Sequence, residues 1–218
     1  RSKGMKGNIG GVILFDETIR QEAKDGTLLR DIISDQGALP GIKVDKGLQP
    51  IEDCPNETVT VGLDGLDERL KEYSSLGAKF TKWRAVINIG NGIPTDRCID
   101  ANMQALADYA KCAQDNGMVP IVEPEVLMDG EHNIDECYEA TERSLKSLFS
   151  HLEKASVNIK GTLLKPNMVT SGKDAADQAG VEEVAKKTLD CLIANVPAEL
   201  PGITFLSGGQ SDSLETAH

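Results

Sequence analysis

Six short β-rich runs recur along the chain at an interval near 40 residues, and this beat narrows the choice of fold more than any other feature. The runs are Val12–Phe15, Ile42–Asp45, Phe80–Ile87, Val119–Val126, Thr162–Val169 and Ile203–Ser207. Their starts are separated by 30, 38, 39, 43 and 41 residues. Each run is bounded by turn residues such as Gly10-Gly11, Pro40-Gly41, Asn116-Gly117 and Pro201-Gly202. Between the runs, apolar positions at helical spacing predict helices over Leu66–Tyr73, Asn102–Gln114, Ile134–Leu152 and Val181–Ile193. Strands alternating with helices predict βα units and a parallel sheet. Eight units of this length need roughly 300 residues, within the range of a (β/α)8 barrel. The 218 residues here carry six strands.

Strands of a parallel sheet are buried on both faces and should be continuously apolar. Several of these are not. Lys43, Lys82, Glu123, Lys165 and Ser207 follow one another at spacings of 39, 41, 42 and 42. One polar group per repeat at one phase predicts a ring of side chains at a single level inside a closed barrel. Residues two apart share a strand face. Lys82 and Arg84 therefore point together with Trp83 opposite, Glu123 and Glu125 share a face, and Leu163, Lys165 and Asn167 form a third row. Exposed edges, which do favour lysine, explain at most two strands of an open sheet. An inert buried ion-pair network is costly beside apolar packing.

The ring permits a specific chemistry. A lysine beside other cations in a water-poor cavity is favoured as the neutral amine and attacks carbonyls. Lys165, with Lys82 and Arg84 as neighbours, is the nucleophile expected. Glu123 is placed to shuttle protons to and from a carbinolamine and an imine, while Glu125 orients Lys82 or serves as a second carboxylate. Glu123 and Lys165 each precede a proline, which restrains their backbones. Ser207-Gly208-Gly209 offers unhindered N–H groups and a hydroxyl for a phosphate, and Lys43 is suited to a second anion. Two phosphates about one Schiff-base lysine suggest a bisphosphorylated sugar.

Other classes of function are disfavoured. The formal net charge of −12 opposes phosphate backbones and anionic membranes, so neither nucleic acid nor membrane is an expected partner. There is no run of 18 apolar residues and no signal peptide at Arg1–Met5. Cys54, Cys98, Cys112, Cys137 and Cys191 form no CxxC, and His132, His151 and His218 lack ligand spacing, so no metal or other cofactor is expected. No GxGxxG or complete P-loop follows a strand; Thr170-Ser171-Gly172-Lys173 is only half of one. The sequon Asn56-Glu57-Thr58 is taken as coincidence.

Seven stretches closely resemble the class I fructose-1,6-bisphosphate aldolases. They are GGVILF (10–15), GIKVDKG (41–47), GLDGL (62–66), Lys82-Trp83-Arg84, VPIVEPE (119–125), GTLLKPNMV (161–169) and GITFLSGGQ (202–210). The resemblance implies that Lys165 forms the Schiff base and that Glu123 is the main proton shuttle. It implies that Lys82 assists carbon–carbon cleavage, that Glu125 supports the lysines, and that Arg84 and Lys43 contact the sugar phosphate. Ser207, Gly208 and Gly209 would bind the phosphate of the ketone half. The fold implied is an α/β (β/α)8 TIM barrel of which strands 2–7 are present, a single domain over residues 1–218 incomplete at both ends. The family's first strand with its aspartate, its eighth strand with a serine and an arginine, and its tyrosine-terminated tail are not found. A partial aldolase sequence is therefore expected. The resemblance further implies a cytoplasmic homotetramer, a plastid being the other compartment left open. Two other readings share these residues: another Schiff-base barrel enzyme such as a transaldolase or keto-acid aldolase, and a non-catalytic scaffold. A glycine-rich phosphate site and a second cationic anchor favour the bisphosphate aldolase, and a pure scaffold would not need the reactive residues.

Overall fold

The computed structural model describes residues 4–206. Five strands form one parallel sheet: β1 (Gly11–Leu14), β2 (Leu39–Lys43), β5 (Phe80–Ile87), β6 (Val119–Val126) and β7 (Leu163–Leu164). They lie side by side in chain order, interrupted only by β3 (Leu48–Ile51) and β4 (Cys54–Thr60), which pair antiparallel as a separate hairpin. A parallel sheet that adds strands in sequence, with no reversal of order, is the arrangement of barrel staves and not of a doubly wound sheet. The sixth sequence run continues the ladder: Ile203 bridges Leu164 in parallel, and Thr204 N–H donates to the Leu164 carbonyl at 2.9 Å.

The helices are α1 (Asp16–Arg20), α2 (Leu29–Asp35), α3 (Leu66–Ser75), α4 (Asp96–Asp115), α5 (Ile134–Lys154) and α6 (Val181–Asn195). The last four match the expected ones, lengthened at their ends. Helix α4 begins six residues earlier than its apolar pattern suggested, because the Thr95 hydroxyl accepts the Cys98 N–H and caps a polar first turn. A capping box between Asn133 and Glu136 starts α5. The unpredicted hairpin has little alternation to reveal it. Its strands read LQPI and CPNETVT; left-handed Asp53 shapes its turn and left-handed Asn56 lies in β4 where the pairing register shifts.

The main core lies between the sheet and the helices. Trp83, Ala85 and Ile87 on β5 are completely buried. The Trp83 ring stacks on Tyr109 of α4 at 5.4 Å between centroids, and the Tyr109 hydroxyl lies 2.7 Å from Thr81 Oγ1. These odd-numbered β5 side chains face the helices, so Phe80, Lys82 and Arg84 face the other way. On that inner face the Phe80 ring lies across Gly11 and Gly41 and fills the space a side chain would take at either position.

One strand is much shorter than expected. β7 ends at Leu164, although Lys165 still donates its N–H to the Val122 carbonyl at 2.8 Å. Pro166 has no N–H to continue the ladder. Asn167 then turns away from the row predicted for it with Leu163 and Lys165. Its side chain, nearly fully buried, accepts the Val126 N–H at 3.0 Å and donates to Thr141 Oγ1 on α5 at 3.1 Å. A side-chain amide thus replaces the backbone partner that the broken strand withholds.

Candidate active site

The polar side chains on the inner face cluster across the sheet: Lys43 ends β2, Lys165 follows β7, and Lys82, Arg84, Glu123 and Glu125 lie within β5 and β6. Glu123 is at the centre. Its Oε1 accepts a hydrogen bond from Lys165 Nζ, and Lys82 Nζ stands 2.8 Å from its Oε2. The second contact has ion-pair distance without hydrogen-bond geometry. The Glu123 side chain is 4% exposed and that of Lys82 10%, while Lys165 is more open at 21%. One buried carboxylate therefore joins two lysines from the strands on either side, and the more accessible lysine is the one best placed to meet a substrate.

A second pair lies beside it. Arg84 donates to Glu125, whose side chain is buried. That bond raises the Arg84 pKa above its ordinary value, with burial opposing, so the cation is permanent. Of the two roles expected for Glu125, orienting Lys82 is not what its contact supports: Glu125 is engaged by Arg84, and Lys82 by Glu123. Lys43 donates to Asp45, the buried carboxylate two residues further on. Asp45 was not singled out in the sequence, although the period-2 rule places it on the same face as Lys43. Ser207, Gly208 and Gly209 lie outside the described residues.

The single-level ring needs one correction. In the ladder Lys43 pairs with Lys82, whereas Lys82 pairs with Ile121, and Glu123 is the partner of Arg84. Ile121 and Val122 pair with Leu163 and Leu164, which brings Lys165 next in line with Glu123. The polar residues therefore occupy two levels of the inner face, separated by the rung of Trp83, Val122 and Leu164. Lys43 and Lys82 share one, and Arg84, Glu123 and Lys165 the next.

The loops beyond these strands are tied together. Gly172, Lys173 and Asp174 donate their N–H groups to the carbonyls of His132, Met128 and Gly130 at 2.8, 2.7 and 3.0 Å. Lys173 also pairs with Asp129. The Gly130 carbonyl occupies the place where a Cβ on Gly172 would sit. His132 is buried within this join, and neither ring nitrogen has a partner among the described residues. Burial holds its pKa below the usual imidazole range, with Glu136 opposing.

The five cysteines are free thiols. Burial, then the neighbouring Glu57, pushes Cys98 up to about 12, and burial first raises Cys191 to about 11, so neither is a nucleophile near neutral pH. Among the described residues no group of three or more His, Cys, Asp or Glu could hold a metal ion.

Comparison with known proteins gives a consistent result. A family model described as glycolytic, fructose-bisphosphate aldolase class-I, matches residues 1–218. A probable fructose-bisphosphate aldolase class 1 from Xanthomonas campestris is 59% identical over 210 residues, covering 96% of this chain and 63% of that protein. The cytosolic fructose-bisphosphate aldolase 4 of Arabidopsis thaliana is 48% identical, covering 96% of this chain and 53% of the relative. Among solved structures, fructose-bisphosphate aldolase from Plasmodium falciparum, in a complex with TRAP and a small-molecule inhibitor, superposes with a TM-score of 0.94 at 45% identity. That match covers 95% of this chain and 60% of the other. The chain thus spans less than two thirds of the length of these relatives.

Proposed function

This chain belongs to the class I fructose-bisphosphate aldolase family, and from that premise we propose that the intact protein cleaves fructose 1,6-bisphosphate reversibly to dihydroxyacetone phosphate and glyceraldehyde 3-phosphate. The observation that carries this reading is the sharing of Glu123 between Lys165 and Lys82. The Lys165 ammonium gives a proton to Glu123, and the freed amine attacks the ketone carbon. Glu123 then protonates the departing hydroxyl, so that water leaves and an iminium forms. Glu123, ionised again, takes the proton from the hydroxyl two carbons from the iminium carbon, and the bond between that carbon and the one adjacent to the iminium breaks. The electron pair moves into the iminium and the aldehyde departs. Protonation and hydrolysis of the enamine release the ketone half and restore Lys165.

Lys82, the second cation on Glu123, assists the cleavage step. Glu125 holds Arg84, and Arg84 with Lys43 binds the phosphate remote from the imine. Ser207, Gly208 and Gly209 are assigned to the phosphate of the ketone half. The proposed setting is one (β/α)8 domain in a cytoplasmic homotetramer. The Arabidopsis relative is named as cytosolic, and no described helix is long and apolar enough to cross a membrane.

Trapping tests the reading. With dihydroxyacetone phosphate and borohydride, the intact protein should carry the reduced adduct on Lys165 by mass spectrometry, in the presence of a strong chelator as well as in its absence. An adduct on Lys82 or Lys43, or activity lost in chelator and restored by zinc, would overturn it.

A further inference from the structure

We propose that Asp45 is a positioning residue that sets the preference for a bisphosphate, by holding the Lys43 ammonium and the Arg84 backbone with one carboxylate; the inference rests on the function proposed above. Strand β2 ends at Lys43, and the next carbonyl in line, that of Val44, accepts from Arg69 at 2.9 Å, so the next N–H of β5 on that side needs another acceptor. Asp45 supplies one. Its Oδ2 accepts the backbone N–H of Arg84 at 3.3 Å, while its Oδ1 accepts Lys43 Nζ. The Arg84 carbonyl is held in turn by Thr60 Oγ1 at 2.8 Å. Both backbone polar atoms of Arg84 are thereby fixed by side chains.

The Asp45 side chain is 5% exposed and that of Lys43 24%. Lys43, the more open of the two, and Asp45 both line a cavity of about 370 Å³, together with the cations Arg20, Lys46 and Arg69 and the carboxylates of Asp16 and Glu72. That difference suits a lysine kept in place from behind and presented to an anion in front. The two bonds use the two oxygens separately. Asparagine has one oxygen and one NH2 group, so it can satisfy only one of them. A shift in either cation weakens a phosphate contact without touching Lys165 or Glu123.

The test compares Asp45→Asn and Asp45→Ala with the parent in the intact protein. The substrates are fructose 1,6-bisphosphate and fructose 1-phosphate, which lacks the remote phosphate. KM for the bisphosphate should rise about tenfold, the worth of one charge-assisted contact. The ratio of kcat/KM between the two substrates should fall at least fivefold, with borohydride trapping on Lys165 retained. Equal loss on both substrates together with lost trapping would show a merely structural role and overturn the proposal. So would an unchanged ratio. Tighter binding of the bisphosphate would overturn it too, by showing that Asp45 competes with the phosphate for Lys43. If the parent itself fails to trap on Lys165, the underlying function falls and this inference with it.

Discussion

Lys82 and Glu123 lie 2.8 Å apart although they are not partners in the ladder. Lys82 faces Ile121, and its ammonium reaches diagonally to the carboxylate two residues further along β6. Arg84 does the same, facing Glu123 but pairing with Glu125. The tilt and stagger needed to curl a sheet into a barrel bring such diagonal neighbours together. Charge pairing across β5 and β6 is thus offset by one pleat, and the offset gives Glu123 a lysine on each side.

Replacing Glu123 with glutamine tests that arrangement. The amide keeps the shape but cannot take the Lys165 proton. Substrate should still bind, while turnover falls about 100-fold or more, the usual worth of a positioned acid–base group. Steady-state kinetics decides. Unchanged turnover would mean that Glu125 or another group carries the protons.

Asn167 tests how the sheet ends. In Asn167→Ala the Val126 N–H loses its acceptor in a buried setting, at a cost of about 1–3 kcal/mol. Urea titration should place the alanine variant below the parent. Equal midpoints for alanine and parent would show that water replaces the amide.

His132 predicts an acid sensitivity. Burial lowers its pKa in the folded state, so the unfolded chain binds the proton first as pH falls through about 6.5. Its contribution is fully present above that pH and is lost progressively below it. Thermal melting of the parent should decline between about pH 6.5 and 5 more steeply than that of His132→Gln. Parallel declines would refute the assignment.

The sequence is most legible where one strand face carries charge and the other carries none. Phe80–Ile87 and Val119–Val126 match β5 and β6 to the residue for that reason. Spacing alone placed Lys43, Lys82, Glu123 and Lys165 at one level, because a constant interval says nothing of the stagger between neighbouring strands. Thr162–Val169 contained its own contrary signal in Pro166. Asp45 stood two residues beyond Lys43 in a run already read as a strand, but its meaning needed the Arg84 peptide, 39 residues away. The β3–β4 hairpin had no alternation to betray it, since it is tied down by side chains: Asn102 of α4 accepts the Thr60 N–H at 3.2 Å and donates to the Thr58 carbonyl at 2.8 Å.

The backbone bonds joining residues 128–132 to 172–174 bear on any attempt to remodel this site. The segment that follows Glu123 and the segment that follows Lys165 form a single mechanical part, hooked together by three peptide groups. A loop grafted from another barrel into one position would arrive without its counterpart and leave three donors or acceptors stranded. Transplants should therefore move both segments as a cassette, with glycine kept at 172 as the tolerance that lets the two halves close.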